Sequence, residues 1–130
     1  MINILIVDDQ NSWLNFHKHA VYEILGENAN ISTASSATEG YNIILEQVKS
    51  PFDVIITDMQ MESDFAPKMA GEWFVEQIQS LPSYYRTKII IISAAAMIKY
   101  IAEKYGVLYI PKGVALNSLE AYKEVLCNNK

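Results

Sequence analysis

The sequence predicts an α/β chain in which one parallel sheet carries helices on both faces. Five short apolar runs, Ile2–Val7, Ala29–Ala34, Val54–Thr57, Ile89–Ile92 and Val107–Ile110, alternate with longer amphipathic stretches. Three of the runs are rich in Ile and Val with little polar alternation, as strands buried on both faces require. The amphipathic stretches carry helix start and stop signals, so five βα units follow one another.

Each element has its own local reason. Met1–Val7 is apolar but short, lacks a basic flank and stops at two aspartates, so it reads as a strand rather than a signal or membrane segment. Trp13, Phe16, Ala20, Val21 and Ile24 then share one face of a helix ending near Gly26, with Asn11 or Ser12 as its expected cap. After the second strand, Ser36 and Glu39 form a capping box ahead of the stripe Tyr41, Ile44, Leu45 and Val48. Trp73, Phe74, Gln77 and Ile78 mark a third helix, stopped by Pro82. Met97, Ile98, Ile101 and Tyr105 mark a fourth, closed by Gly106. Asn117 and Glu120 predict a second capping box, followed by Leu119, Tyr122, Val125 and Leu126.

Length and charge narrow the function classes. With 130 residues the chain fits a single domain spanning 1–130, since two halves would each be too small for a proper core. Hydrophobic residues make up 51% and charged residues 19%, the balance of a globule. The net charge is −5 and Arg86 is the only arginine, so no basic stripe exists to follow a nucleic-acid backbone. Cys127 is the only cysteine and cannot form an internal disulfide; with no membrane segment, the expectation is a cytoplasmic protein.

In sheets of this type, ligands bind beyond the carboxyl ends of the strands. Asp8 and Asp9 follow the first strand, Asp58 the third, Ser93 the fourth and Lys112 the fifth. Taken singly, each has an ordinary explanation as a cap, a loop residue or a solvated lysine. All five at one rim do not. Clustered carboxylates repel and call for a cation; without His or Cys partners they favour a hard ion, Mg²⁺ first. His17 and His19, two apart on a helix, face differently and form no metal pair. Trp13, Trp73, Met59 and Met61 read as packing residues.

The segments ILIVDD at 4–9, DVIITDMQM at 53–61, IIISA at 90–94 and YIPK at 109–112 together resemble the receiver domain of two-component response regulators. The resemblance runs from Ile4 to about Leu126. It implies a flavodoxin-like fold with strand order 2-1-3-4-5 and five helices, and a phosphoacceptor switch rather than an enzyme acting on other molecules. It also implies roles: Asp58 takes the phosphoryl group from a phosphohistidine, and Asp9 binds Mg²⁺. Asp8 holds the ion through water and the Gln60 backbone carbonyl completes the set. Lys112 pairs with a phosphoryl oxygen, Ser93 hydrogen-bonds another, and Tyr109 is the aromatic that follows Ser93. The implied partners are a sensor histidine kinase or phosphotransfer protein and a downstream protein, with homodimer formation left open.

Three departures stand out. Pro111 precedes Lys112 and Gly113 follows it, where the family usually places proline after the lysine. The loop from Met61 to Ala70, with Glu62 and Asp64, is long. The stretch from Ser93 to Lys112 is short, trimming the fourth helix or tightening Ala94–Ala96 before it. Competing readings are a receiver that no longer takes phosphate and works by contact, and a receiver excised from a larger hybrid protein. A third, an aspartyl phosphatase, ranks low because Gln60 stands where a general acid is needed.

Overall fold

The computed structural model describes residues 1–61 and 70–127. The long-loop segment 62–69, with Glu62 and Asp64, and the tail Asn128–Lys130 lie outside the described residues. Along the chain run β1 (Ile2–Val7), α1 (Asn11–Leu25), β2 (Ala29–Ala34), α2 (Ala37–Glu46) and β3 (Val54–Thr57). They are followed by α3 (Ala70–Ser80), β4 (Lys88–Ser93), α4 (Ile98–Tyr105), β5 (Leu108–Pro111), α5 (Lys112–Ala115) and α6 (Leu119–Cys127). Short 3₁₀ turns at Gly26–Asn28 and Pro82–Tyr84 finish two of the connections.

The strands form a five-stranded parallel sheet ordered β2-β1-β3-β4-β5, the flavodoxin-like order that the resemblance implied. Strand period two divides the apolar residues between two layers. Leu5, Val7, Ile55, Ile89 and Ile91 meet Ile44, Phe74, Val75, Ile78, Ile98 and Ile101 from α2, α3 and α4. Ile4, Ile6, Val54, Ile56, Ile90, Ile92 and Ile110 meet Leu14, Ala20, Val21 and Tyr122 from α1 and α6. Each fully buried isoleucine contributes about 1.5–3 kcal/mol, so these two layers supply most of the driving force.

Register brings the strand ends level. Val7 pairs with both Ala34 and Thr57, Thr57 with Ile91, and Ser93 with Pro111. The residues just past β1, β3 and β5, and the last residue of β4, therefore share one rim.

Several local expectations change. α1 begins at Asn11 with Gln10 as a cap that makes no side-chain bond, so neither Asn11 nor Ser12 is the cap. The Asp8 carboxylate already receives the Gln10 N–H at 3.0 Å, and this tightens the entry to the helix. The Ser36–Glu39 box forms as expected, with the Glu39 N–H donating to Ser36 Oγ at 3.0 Å. The predicted Asn117 cap is replaced by Ser118, whose Oγ accepts from the Ala121 N–H at 3.1 Å. Asn117 is drawn instead to close the preceding short helix, donating to the Gly113 carbonyl at 3.3 Å.

Met97 is exposed rather than part of the fourth apolar stripe, because α4 opens only at Ile98 and Ala95 fills the buried place before it. Val48 lies past the end of α2 and is partly exposed. Gly106 ends α4 in the left-handed region at φ 67°, as its position predicted. Lys88 joins β4 and donates to the Val125 and Leu126 carbonyls at 2.8 and 3.3 Å, tying the sheet to the unsatisfied end of α6.

Candidate functional site

β1 delivers Asp8 to the rim fully buried. Its Oδ1 accepts from the Gln10 N–H, while Oδ2 lies 3.1 Å from Lys112 Nζ and 3.8 Å from His17 Nε2. Oδ2 nevertheless makes no well-formed hydrogen bond. Burial pushes the Asp8 carboxyl up, but the facing His17, the Gln10 amide and the Lys112 charge outweigh burial and hold it below the usual carboxylate value. Asp9, next along, is half-buried.

β3 delivers Asp58, which is 5% exposed. Its Oδ1 accepts from the Met59 N–H at 2.7 Å and the Gln60 N–H at 3.3 Å, and Lys112 Nζ donates to Oδ2 at 3.0 Å. One carboxylate oxygen is thus fixed by backbone and the other by an ammonium. Such charge-assisted bonds hold orientation as well as charge.

Lys112 comes from the far side of the sheet. Pro111 ends β5 in extended geometry at φ −62° and ψ 139°, and Lys112 opens α5 directly after it. Only 7% of the residue is exposed. Its ammonium lies between Asp8 and Asp58 and 4.7 Å from the centroid of the Trp13 ring. The reordered Pro111-Lys112-Gly113 turn therefore still carries the charge into the acidic rim. Ser93 is fully buried at the end of β4, where its Oγ accepts from the Ala95 N–H at 3.1 Å. Tyr109 pairs in register with Ile91, two residues before Ser93 on the same sheet face, and packs on the α2–α3–α4 layer. Gln60 is exposed.

The donor set suits a hard divalent cation. One oxygen from each of Asp8, Asp9 and Asp58 can be chosen so that all lie within 4.8 Å of one another. Asp8 and Asp58 share the Lys112 ammonium, and among the described residues Asp8 Oδ2, though ion-paired with it, is a buried acceptor with no well-formed hydrogen bond. All-oxygen ligation is the preference of Mg²⁺.

Two neighbours of this site escaped the sequence reading. His17, which with His19 forms no metal pair, is buried, and its Nδ1 lies 2.8 Å from the Tyr122 hydroxyl. His19 is indeed turned away, exposed and 3.8 Å from Glu23. Trp13, taken as packing, also faces Lys112 and stacks near His17 with ring centroids 5.3 Å apart. The available signal was helical: His17 is four residues after Trp13, on the same face as Phe16, Ala20 and Val21. Met59 and Met61 are buried, as packing residues should be. Among the described residues, no helix is long and apolar enough to cross a membrane.

A family model described as the response regulator receiver domain matches residues 4–122. No curated protein matches the chain. Among solved structures, the chain is similar to the chemotaxis response regulator CheY4 of Vibrio cholerae, at 23% identity over 100% of this chain and 99% of that one, with TM-score 0.73. It is similar to the signal receiver domain of a DNA-binding response regulator from Colwellia psychrerythraea 34H, at 19% identity over 98% and 100% of the two chains, with TM-score 0.74. The receiver domain of the histidine kinase CKI1 from Arabidopsis thaliana is similar at 20% identity over 98% and 91%, with TM-score 0.73. At these identities the structural likeness concerns the fold.

Proposed function

Since the chain belongs to the response regulator receiver family of two-component signal transduction, we propose that it is an Mg²⁺-dependent phosphoacceptor switch with Asp58 as the acceptor. The observation that carries this reading is the position of Lys112 Nζ, 3.0 Å from Asp58 and 3.1 Å from Asp8 at the mouth of the three-carboxylate cluster. A carboxylate is a weak nucleophile, so rate must come from alignment and charge neutralisation. Asp58 is held at both oxygens, which fixes its line of attack.

A carboxylate oxygen of Asp58 bonds to phosphorus as the P–N bond of a donor phosphohistidine breaks, and the electron pair returns to the imidazole. Asp8, Asp9, Asp58 and the Gln60 backbone carbonyl would hold Mg²⁺, which supplies positive charge beside the acceptor and phosphoryl oxygens. Lys112 follows the charge from the carboxylate to the phosphoryl group. The Ser93 hydroxyl then turns from the Ala95 amide to donate to a phosphoryl oxygen, and Tyr109 moves toward the space it leaves. The partners are a sensor histidine kinase or phosphotransfer protein and a downstream protein read by contact, and the setting is the cytoplasm. The 130 residues act as one receiver unit.

Intact mass after incubation with acetyl phosphate and Mg²⁺ tests this reading. One added phosphoryl group in the wild type and none in Asp58→Ala is expected. An adduct retained by Asp58→Ala moves the acceptor elsewhere. No adduct from either acetyl phosphate or a phosphorylated histidine donor leaves a receiver that works by contact.

A further inference from the structure

The buried pair His17–Tyr122 lies behind the acidic rim and has no part in the chemistry above. α1 supplies the histidine and α6 the tyrosine, 105 positions apart in the chain, and both are 1% exposed. Buried polar groups in an apolar layer are costly unless their hydrogen bonds are assigned consistently. Here one assignment serves every group. Asp8 is an acceptor; its Oδ2 is ion-paired with Lys112 at 3.1 Å but makes no well-formed hydrogen bond, and His17 Nε2 faces it at 3.8 Å. Tyr122 has a hydroxyl proton to place, and His17 Nδ1 is 2.8 Å away. If Tyr122 donates to Nδ1, the ring carries its proton on Nε2, facing Asp8. The opposite tautomer would turn a lone pair toward a carboxylate.

We propose that His17 is a positioning residue for Asp8, held by Tyr122 in the Nε2–H tautomer. The pair couples α6 to the Mg²⁺ pocket. This inference rests on the reading of that pocket as a metal site. At 3.8 Å the Nε2–H is an electrostatic neighbour of the Asp8 carboxylate rather than a direct hydrogen-bond donor, and losing such an outer partner of a metal-ligating carboxylate typically costs 10–100-fold in metal affinity. Trp13 strengthens the case, because its ring lies near both His17, with centroids 5.3 Å apart, and Lys112, whose Nζ is 4.7 Å from its centroid. α1 therefore presents two side chains to the rim, one beside each charge of the Asp8–Lys112 pair. Because coupling between two sites is reciprocal, Mg²⁺ that draws on Asp8 must also bear on how α6 seats Tyr122.

The test combines two measurements on the whole chain. A nitrogen-15 long-range correlation spectrum of the His17 ring is expected to show the Nε2–H form in wild type; the Nδ1–H form overturns the inference. Titration with Mg²⁺ alone, followed by tryptophan emission, is then compared among wild type, His17→Leu, His17→Gln and Tyr122→Phe. The Leu variant is expected to bind about 10-fold more weakly. Gln, which keeps an N–H to aim at Asp8, should recover most of that loss. Tyr122→Phe, which keeps the packing and loses the hydroxyl, should fall between. Equal Mg²⁺ affinity in all four overturns the inference and leaves the pocket intact. Equal weakening in Leu and Gln with none in Tyr122→Phe also overturns it, because packing then accounts for the effect. A wild type that binds no Mg²⁺ overturns the pocket reading itself and the inference with it.

Discussion

Gly71 rests directly on the backbone of Asp58: a Cβ built on Gly71 would collide with the Asp58 carbonyl oxygen and lie 2.6 Å from Met59 Cα. The Gly71 N–H donates to the Met59 carbonyl at 3.0 Å, so the first turn of α3 is bonded to the segment that carries Asp58, the proposed acceptor. The absence of a side chain at Gly71 is what lets the helix approach this closely. Gly71→Ala must push backbone apart, not merely turn a side chain. The expected outcome is a loss of about 1–3 kcal/mol in urea unfolding, with slower phosphoryl uptake because Asp58 shifts.

Among the described ion pairs, Lys112 is the one that joins both Asp8 and Asp58. Lys112→Met keeps the length of the stem and removes the charge. Removing one partner from a buried ion pair costs about 3–5 kcal/mol when the remaining charge has no other relief. At the proposed site Mg²⁺ would offer that relief, so the variant's urea midpoint should fall in chelator and recover in part when Mg²⁺ is added. Phosphorylation by acetyl phosphate should be lost or greatly slowed in either case.

High pH probes the contact between α3 and α4. The Tyr105 hydroxyl donates to Glu72 at 2.7 Å and Glu76 at 2.5 Å, and burial together with these carboxylates pushes its pKa well above the ordinary tyrosine value. Burial and the Asp8 carboxylate act the same way on Tyr122. A group whose pKa is raised by folding stabilises fully below its unfolded value and loses that contribution as pH climbs beyond it. Stability should therefore decline above about pH 10, where the unfolded tyrosines ionise. Tyr105→Phe should decline less steeply in denaturant titrations across that range.

The cap of α6 separates two adjacent side chains. Ser118→Ala removes the bond to the Ala121 amide and should cost about 1 kcal/mol. Asn117→Ala removes only an exposed 3.3 Å bond to Gly113 and should cost clearly less in the same thermal melts. Equal losses would contradict the cap seen here.

The strand ends were legible because each is a local event: an apolar run stops, and a polar residue stands at the stop. Ile2–Val7, Ala29–Ala34 and Val54–Thr57 match their predicted bounds, β4 is one residue longer at each end, and β5 is shifted by one residue toward the C-terminus. Asp8, Asp9, Asp58, Ser93 and Lys112 are therefore set on one rim by the sequence alone. Periodicity likewise separated His17 from His19, since two residues along a helix turn a side chain through more than half a circle.

What periodicity cannot carry is a contact made across the fold. His17 meets Tyr122 because α1 and α6 pack on the same sheet face, and Lys112, at the head of α5, meets Trp13 of α1 across the rim. The choice of Ser118 over Asn117 depended on α5, a single turn of helix too short to leave a repeat in the sequence. Even the aim of Lys112 was decided by β5 ending beside β4, not by the order of proline, lysine and glycine. The sequence by itself determined which residues reach the rim, through hydrophobic runs and the polar residues that end them. Tertiary structure decided which of them touch and which buried groups stand behind them, because those distances follow from the packing of whole elements.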